Sequence, residues 1–180
     1  GYITTEALVE LCQHLTAVKI DLKAFTEKFY REVCGGTLKP VLNTLMTLRD
    51  LGIHYEIVVL LIPTLNDSPR EVRRMCDWIV KELGPDVPVH FSRFHPTYRM
   101  TNLPPTPLST LETAYKEART AGVKFCYLGN VGPHKWSNTY CPKCGTMLIQ
   151  RYGFLVRSNI IREGKCPRCG TVIPGVWTQK

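Results

Sequence analysis

The clearest chemistry in the sequence lies in four cysteines. Cys141-Pro142-Lys143-Cys144-Gly145 and Cys166-Pro167-Arg168-Cys169-Gly170 repeat one pattern, Cys-Pro-basic-Cys-Gly, with 21 residues between the two pairs. Two residues between thiolates let one tight turn present both sulfurs to a single ion. The glycine permits the left-handed position of that turn, and backbone N–H groups stabilise the thiolates. Four sulfurs complete a tetrahedral Zn²⁺ shell at about 2.3 Å with no open position, which is a structural site. Rubredoxin-like iron is the rival occupant, whereas a redox-active pair fits two matched knuckles poorly. The intervening segments 147–151 and 154–161 read as two strands joined around Tyr152-Gly153, the plan of a zinc ribbon. With no secretory leader in view, paired knuckles point to a metal site in a reducing compartment, and the expectation is cytoplasmic.

The other four cysteines, Cys12, Cys34, Cys76 and Cys126, are scattered through periodic apolar segments and read as small buried hydrophobes. No three cysteines are spaced to hold an iron–sulfur cluster with one open iron.

A second group of polar residues recurs at the ends of expected strands. Asp21 and Lys23 end the first, Asn66 and Asp67 follow the second, His95 follows the third and Asn130 the fourth. In a parallel β/α array, functional groups collect on the loops after the carboxyl ends of strands. With Arg93 at the end of the third, one rim would then carry a carboxylate, an ammonium, an imidazole, a guanidinium and amides, a set suited to a small ligand with carboxylate and amine or hydroxyl groups. Each residue also has a plainer reading. Asp21 and Lys23 share a strand face and could be a structural pair. Asn66, Asp67 and Asn130 could be turn formers, and His95 a satisfied loop histidine. Their shared placement is the argument.

The elements that must position these groups alternate. Helical apolar spacing covers 5–15, 26–33, 38–51, 68–83 and 108–121, with stops at Gly35-Gly36, Gly52, Gly84 and Gly122. Ser68-Pro69-Arg70-Glu71 is a capping box with Pro at the first helical position. Short apolar runs at 17–22, 55–62, 87–94 and 123–128 read as strands. The second, rich in Ile and Val, suggests a strand covered on both faces. Four strands separated by helices make a right-handed parallel β/α array, open to either a barrel or a doubly wound sheet. Four units are about half of an eight-unit barrel, and the first residues enter a helix with no strand before it, so a fragment is expected.

Composition agrees and locates a boundary. The 180 residues are 44% hydrophobic and 21% charged, which excludes wholesale disorder, collagen and coiled coil. The longest apolar run, 57–63, is far short of the roughly 20 residues of a membrane helix. The net charge of +8 is uneven: residues 1–134 carry +1 and residues 135–180 carry +7. The expected domains are therefore a β/α half-barrel over 1–134 and a zinc ribbon over 135–180. Four thiolates on one Zn²⁺ carry −2, bringing the ribbon nearer to about +5. Without an aromatic-interleaved binding motif, its basic residues read as a solvated or docking face, with nucleic acid a poor match.

Taken together, Asp21-Leu22-Lys23, Ile62-Pro63-Thr64-Leu65-Asn66-Asp67-Ser68, Phe91-Ser92-Arg93-Phe94-His95-Pro96 and Tyr127-Leu128-Gly129-Asn130-Val131 form a series. It continues in Asn138-Thr139-Tyr140 before the first knuckle and Ile173-Pro174-Gly175-Val176-Trp177 after the second. The chain resembles, over essentially its whole length, the carboxyl-terminal half of the radical SAM enzyme of the AmmeMemoRadiSam system, a relative of pyruvate formate-lyase activating enzyme. The resemblance implies a partial TIM-type barrel with S-adenosylmethionine and a [4Fe-4S] cluster, which generate a 5′-deoxyadenosyl radical for hydrogen abstraction. It implies that Asp21, Lys23 and His95 lie near S-adenosylmethionine, with Asn66 and Asp67 on the loop after the next strand. It also implies Memo-like and AMMECR-type partner proteins. The family's Cys-x-x-x-Cys-x-x-Cys loop and glycine-rich motif belong to an amino-terminal half not found in these residues, so this chain by itself is expected to be inactive. The alternatives are a non-catalytic β/α scaffold presenting a basic ribbon to a protein or nucleic acid, and a small-molecule-binding domain without catalysis.

Overall fold

Caps and glycines punctuate the chain much as their chemistry requires. In the computed structural model, which describes residues 1–177, Thr4 caps helix α1 (Thr5–Cys12) and leads to strand β1 (Ala17–Asp21). The Thr26 hydroxyl accepts from the Phe29 N–H to start α2 (Glu27–Phe29), which widens into a π turn at Tyr30–Cys34 and ends at left-handed Gly35. Helix α3 (Leu38–Leu51) closes at Gly52, and β2 (His54–Leu61) follows. Ser68 Oγ accepts from the Glu71 N–H at the start of α4 (Pro69–Trp78), again extended by a π turn, Ile79–Leu83. Then come β3 (Val89–Arg93), α5 (Leu108–Ala121) and β4 (Cys126–Gly129).

These four strands form one parallel sheet in the order β1-β2-β3-β4. The order decides between the two topologies that the alternation left open. A doubly wound sheet reverses its strand order at a switch point; this one never does. Right-handed crossovers between successive neighbours place α3, α4 and α5 on one side, the arrangement of a barrel segment.

Burial reads the same way. Tyr55, Ile57, Val59 and Leu61 of β2 are buried with Val89 and Phe91 of β3 against Leu45, Leu48, Met75, Ile79 and Leu111 of the helices. The alternate residues, His54, Glu56, Val58 and Leu60, are only half-buried. This corrects the expectation that β2 is covered on both faces. Val58 and Leu60 make the segment look uniformly apolar, yet they point to the side that carries no helix.

Three short antiparallel strands complete the chain: β5 (Thr139–Tyr140), β6 (Met147–Tyr152) and β7 (Leu155–Asn159), in the order β5-β6-β7. Their core joins Leu148, Ile149, Ile173, Cys141 and Cys166 to Phe125, which enters from the segment before β4. Trp136 packs back onto Tyr115 of α5, with ring centroids 4.1 Å apart and planes within 4°. Ser137 Oγ donates to the Leu128 carbonyl at 2.9 Å, so the ribbon lies along the outer edge of β4. Among the described residues no helix is long and apolar enough to cross a membrane.

Candidate functional site: a four-sulfur centre and a strand-end rim

Each cysteine knuckle is a closed turn. The Cys141 N–H donates to the Thr146 carbonyl (2.8 Å) and the Gly145 N–H returns to the Cys141 carbonyl (3.0 Å); Cys166, Thr171 and Gly170 repeat the pair at 2.9 and 2.9 Å. Gly145 and Gly170 both sit at φ +71°, where a side chain is strained. The turns place all four Sγ atoms within 4.8 Å of one another. Across the knuckles, Cys141 Sγ lies 3.6 Å from Cys169 Sγ, and Cys144 Sγ 3.7 Å from Cys166 Sγ. Sulfurs at the corners of a tetrahedron with bonds of about 2.3 Å stand roughly 3.8 Å apart, so the spacing fits one central ion. A four-iron cube needs its cysteines further apart than this.

The knuckles also hold a feature that the spacing of the cysteines does not reveal. Thr146 and Thr171 follow each glycine, and their hydroxyls lie 3.2 Å from Cys144 Sγ and Cys169 Sγ. Hydrogen bonds from the Thr146 hydroxyl and backbone bring the Cys144 thiol down to about 6. Thr171 lowers Cys169 in the same way. Burial pushes Cys166 up to about 11 before any cation is present. A bound cation reverses that, since a coordinating thiol is deprotonated. The signal was in the sequence as two matched hexapeptides rather than two matched pentapeptides.

At the carboxyl ends of the strands the expected rim residues divide by role. Asp21 lies between two lysines, with Lys19 Nζ at 2.9 Å and Lys23 Nζ at 3.1 Å. Partial burial pushes its carboxyl up, but the two ammonium groups outweigh this and the net displacement is downward. Asp21 and Lys23 border a cleft of about 370 Å³ with Tyr30 and Gly36. The Lys23 N–H donates to Tyr30 Oη at 3.0 Å, and burial raises the Tyr30 phenol to about 12.

Asn66 sits elsewhere in the logic of the site. It is 1% exposed. Its Oδ1 accepts from the Ile62 N–H at 2.6 Å, and its Nδ2 donates to the carbonyls of Lys23 (2.5 Å) and Leu60 (2.9 Å). This amide ties the loop after β1 to the end of β2. Glu71 makes a second tie: its carboxylate accepts from the Phe25 N–H at 2.7 Å, in place of the backward bond of a full capping box. Asp67 Oδ1 accepts from the Thr64 N–H at 2.9 Å and steadies a residue at φ +66°.

His95 is exposed at the start of the long loop between β3 and α5. That loop is pinned by Thr106, a residue without any motif. Its buried hydroxyl donates to the Leu61 carbonyl (2.6 Å) and accepts from the Phe94 N–H (3.0 Å). Arg93 Nε donates to the Thr106 carbonyl at 2.8 Å. Asn130, left-handed at φ +56°, donates to the Arg93 carbonyl at 3.1 Å. The structure thus brings Asp21 and Lys23 together, gives Asn66, Asp67 and Asn130 backbone partners, and gives His95 no side-chain hydrogen bond among the described residues.

No protein-family model matches the sequence. An uncharacterized protein of Methanocaldococcus jannaschii is 43% identical over 175 residues, which cover 96% of this chain and 52% of that protein. The chain therefore spans about half the length of the curated relative it matches. Among solved structures, a domain of pyruvate-formate lyase-activating enzyme from Bacteroides vulgatus superposes with a TM-score of 0.62. The match covers 71% of this chain and 75% of that one at 13% identity, a likeness of fold. The barrel-type α/β fold expected from the sequence is thus also that of an activating-enzyme domain.

Proposed function

We propose that this chain is the carboxyl-terminal part of a radical SAM enzyme of the activating type, ended by a structural zinc ribbon. The observation that carries the reading is the unreversed parallel sheet with Asp21 and Lys23 paired at its carboxyl rim, in a fold shared with an activating-enzyme domain. The Methanocaldococcus protein is about twice as long as the matched segment, which supports a longer whole protein, and the resemblance places the remainder on the amino-terminal side.

The residues fit the amino-acid end of S-adenosylmethionine. The Asp21 carboxylate, kept ionised by two lysines, would accept from its ammonium, and the Lys23 ammonium would meet its carboxylate. His95 supplies an exposed imidazole at the same set of strand ends. They do not fit a [4Fe-4S] cluster. Among the described residues only Cys141, Cys144, Cys166 and Cys169 gather as a group, and they are too close together for a cube. Any cluster would have to be bound by residues outside this chain. The four-cysteine centre would take Zn²⁺ and serve the fold. Memo-like and AMMECR-type proteins are the partners this reading implies, in a reducing cytoplasm where the thiolates persist.

The test is production of the complete reading frame under anaerobic conditions. The whole protein is expected to bind a reducible cluster and cleave S-adenosylmethionine to 5′-deoxyadenosine, while the 180-residue chain gives neither. A whole protein with a full cluster and no cleavage overturns the proposal.

A further inference from the structure

Away from the Asp21–Lys23 cleft, and reaching the rim only at Asn130, the helix-free face of the sheet carries a second constellation. Glu56 on β2 stands between two imidazoles: His90 Nε2 donates to its Oε2 at 2.7 Å, and His54 Nε2 is 3.6 Å from its Oε1. His90 stacks on Tyr127 of the neighbouring strand, with centroids 4.9 Å apart. Over the Tyr127 ring, 5.4 Å from its centroid, lies the guanidinium of Arg151, which belongs to the ribbon. Three strands and the ribbon hairpin thereby converge on one cleft of about 370 Å³.

The arrangement is unlike a structural ion pair. Arg151 is held in place by Nη1, which donates to Thr139 Oγ1 at 2.7 Å and to the Ser137 carbonyl at 3.4 Å. Tyr127 Oη lies 3.0 Å from the same threonine hydroxyl. Among the described residues the remaining guanidinium donors have no acceptor and Arg151 has no carboxylate partner within ion-pair distance. A pre-positioned guanidinium with free donors is the preferred receptor for a planar or tetrahedral oxyanion. Glu56 occupies His90 Nε2, which leaves Nδ1 as the ring's remaining hydrogen-bonding atom. At the lip, Phe154 is fully exposed, at 102%. It is not alone: Tyr152, Leu155 and Val156 of the same hairpin are also exposed, and a run of exposed apolar side chains beside a polar cleft marks an interaction surface.

We propose that the seam between the parallel sheet and the ribbon is a binding site for a small oxyanion, carboxylate or phosphate, gripped by Arg151, with the apolar body of the same molecule lying against Phe154. His90, oriented by Glu56, contacts its polar end. The ribbon is then a contributor to ligand recognition as well as a metal-stabilised appendage. The site stands apart from the Asp21–Lys23 rim, and the inference holds whether or not the radical chemistry does.

The experiment uses the metal-loaded 180-residue chain, isotope-labelled and titrated separately with benzoate and inorganic phosphate. Expected are saturable shifts of the His90, Asn130 and Gly153 amides with a Kd of about 1 mM or tighter for benzoate. Arg151→Gln weakens both probes by about tenfold or more, the loss of a charge-assisted fork. Phe154→Ala, a change of a fully exposed residue that the fold tolerates, weakens benzoate and leaves phosphate unchanged. Lys143→Gln, a ribbon cation outside the cleft, alters neither. If Arg151→Gln loses metal or amide dispersion, the Phe154→Ala discrimination between probes carries the test alone. Absence of saturable shifts, shifts centred on another surface, or benzoate binding indifferent to Phe154 overturns the site.

Discussion

The ribbon and the parallel sheet organise polar chemistry on opposite length scales. In the ribbon each pair of cysteines and the threonine hydroxyl beside its second member lie within six residues, and the two hexapeptides are near copies. In the sheet, the residues that order the rim come from positions as far apart as Lys23 and Asn66, or Leu61 and Thr106. A short-range site announces itself in spacing. A long-range one is built by pairing strands, and its most important members can be residues with no motif at all. The difference also divides the apolar cores: a small cluster around the four-sulfur centre on one side, and a continuous apolar core on the other.

That division can be broken in order of expected effect. Removing the metal with a chelator, or making Cys166→Ser, should unfold the ribbon outright, because structural zinc supplies about 10–16 kcal/mol in small modules. Amide dispersion should vanish for 139–173 and persist in β1 to β3. Uniform loss across the chain would show that the two regions fold as one. Phe91→Ala, at a fully buried position of β3, should cost about 3–5 kcal/mol in denaturant titration while metal content stays intact.

Asn66→Ala tests the rim itself. It orphans the Ile62 N–H and two carbonyls, and a loss of about 1–3 kcal/mol is expected, with faster hydrogen exchange at Ile62. A negligible change would mean that the loops after β1 and β2 are held by other contacts. Thr146→Val is subtler. Losing the hydroxyl raises the Cys144 thiol from about 6, so protons displace the metal sooner. The midpoint of acid-induced metal release should move to higher pH, with affinity falling about tenfold at neutral pH. Unchanged release would assign the low thiol value to the backbone alone.

The smallest effect belongs to Glu56. Its carboxyl is lowered chiefly by the His90 hydrogen bond, against the upward push of burial. A depressed carboxyl adds stability above its unfolded value, and that increment is lost as pH falls below 4.5 through the folded value. Glu56→Gln should remove this acid-side slope and change neutral stability by less than about 1 kcal/mol, since the pair is partly exposed. Parallel acid-denaturation curves for the two proteins test the sign.

Much of this was legible from residue order. The caps at Thr26 and Ser68, the stops at Gly35, Gly52 and Gly122, and helices α3 and α5 to their observed ends all follow from local rules. So do the two knuckles. Less legible was the environment of each strand. Glu56 and His90 lie in segments dominated by Ile, Val and Phe, and composition alone reads such runs as buried throughout. Only strand order shows that half of those side chains face away from every helix. Asn66 and Asp67 looked alike in the sequence. The structure separates them, one a buried clamp between loops and the other a turn holding strained Thr64.

By itself, then, the sequence determined what nearest neighbours can decide: helices, turns and a metal knuckle whose geometry is complete within a few bonds. The tertiary structure decided which strands lie side by side, which face of the sheet stays free of helices, and that Arg151 of the ribbon meets Tyr127 of the sheet. The physical reason is range. A turn closes on its own residues, whereas pairing β2 with β3 and laying the ribbon along β4 depend on burial shared across the whole chain, which no local pattern encodes.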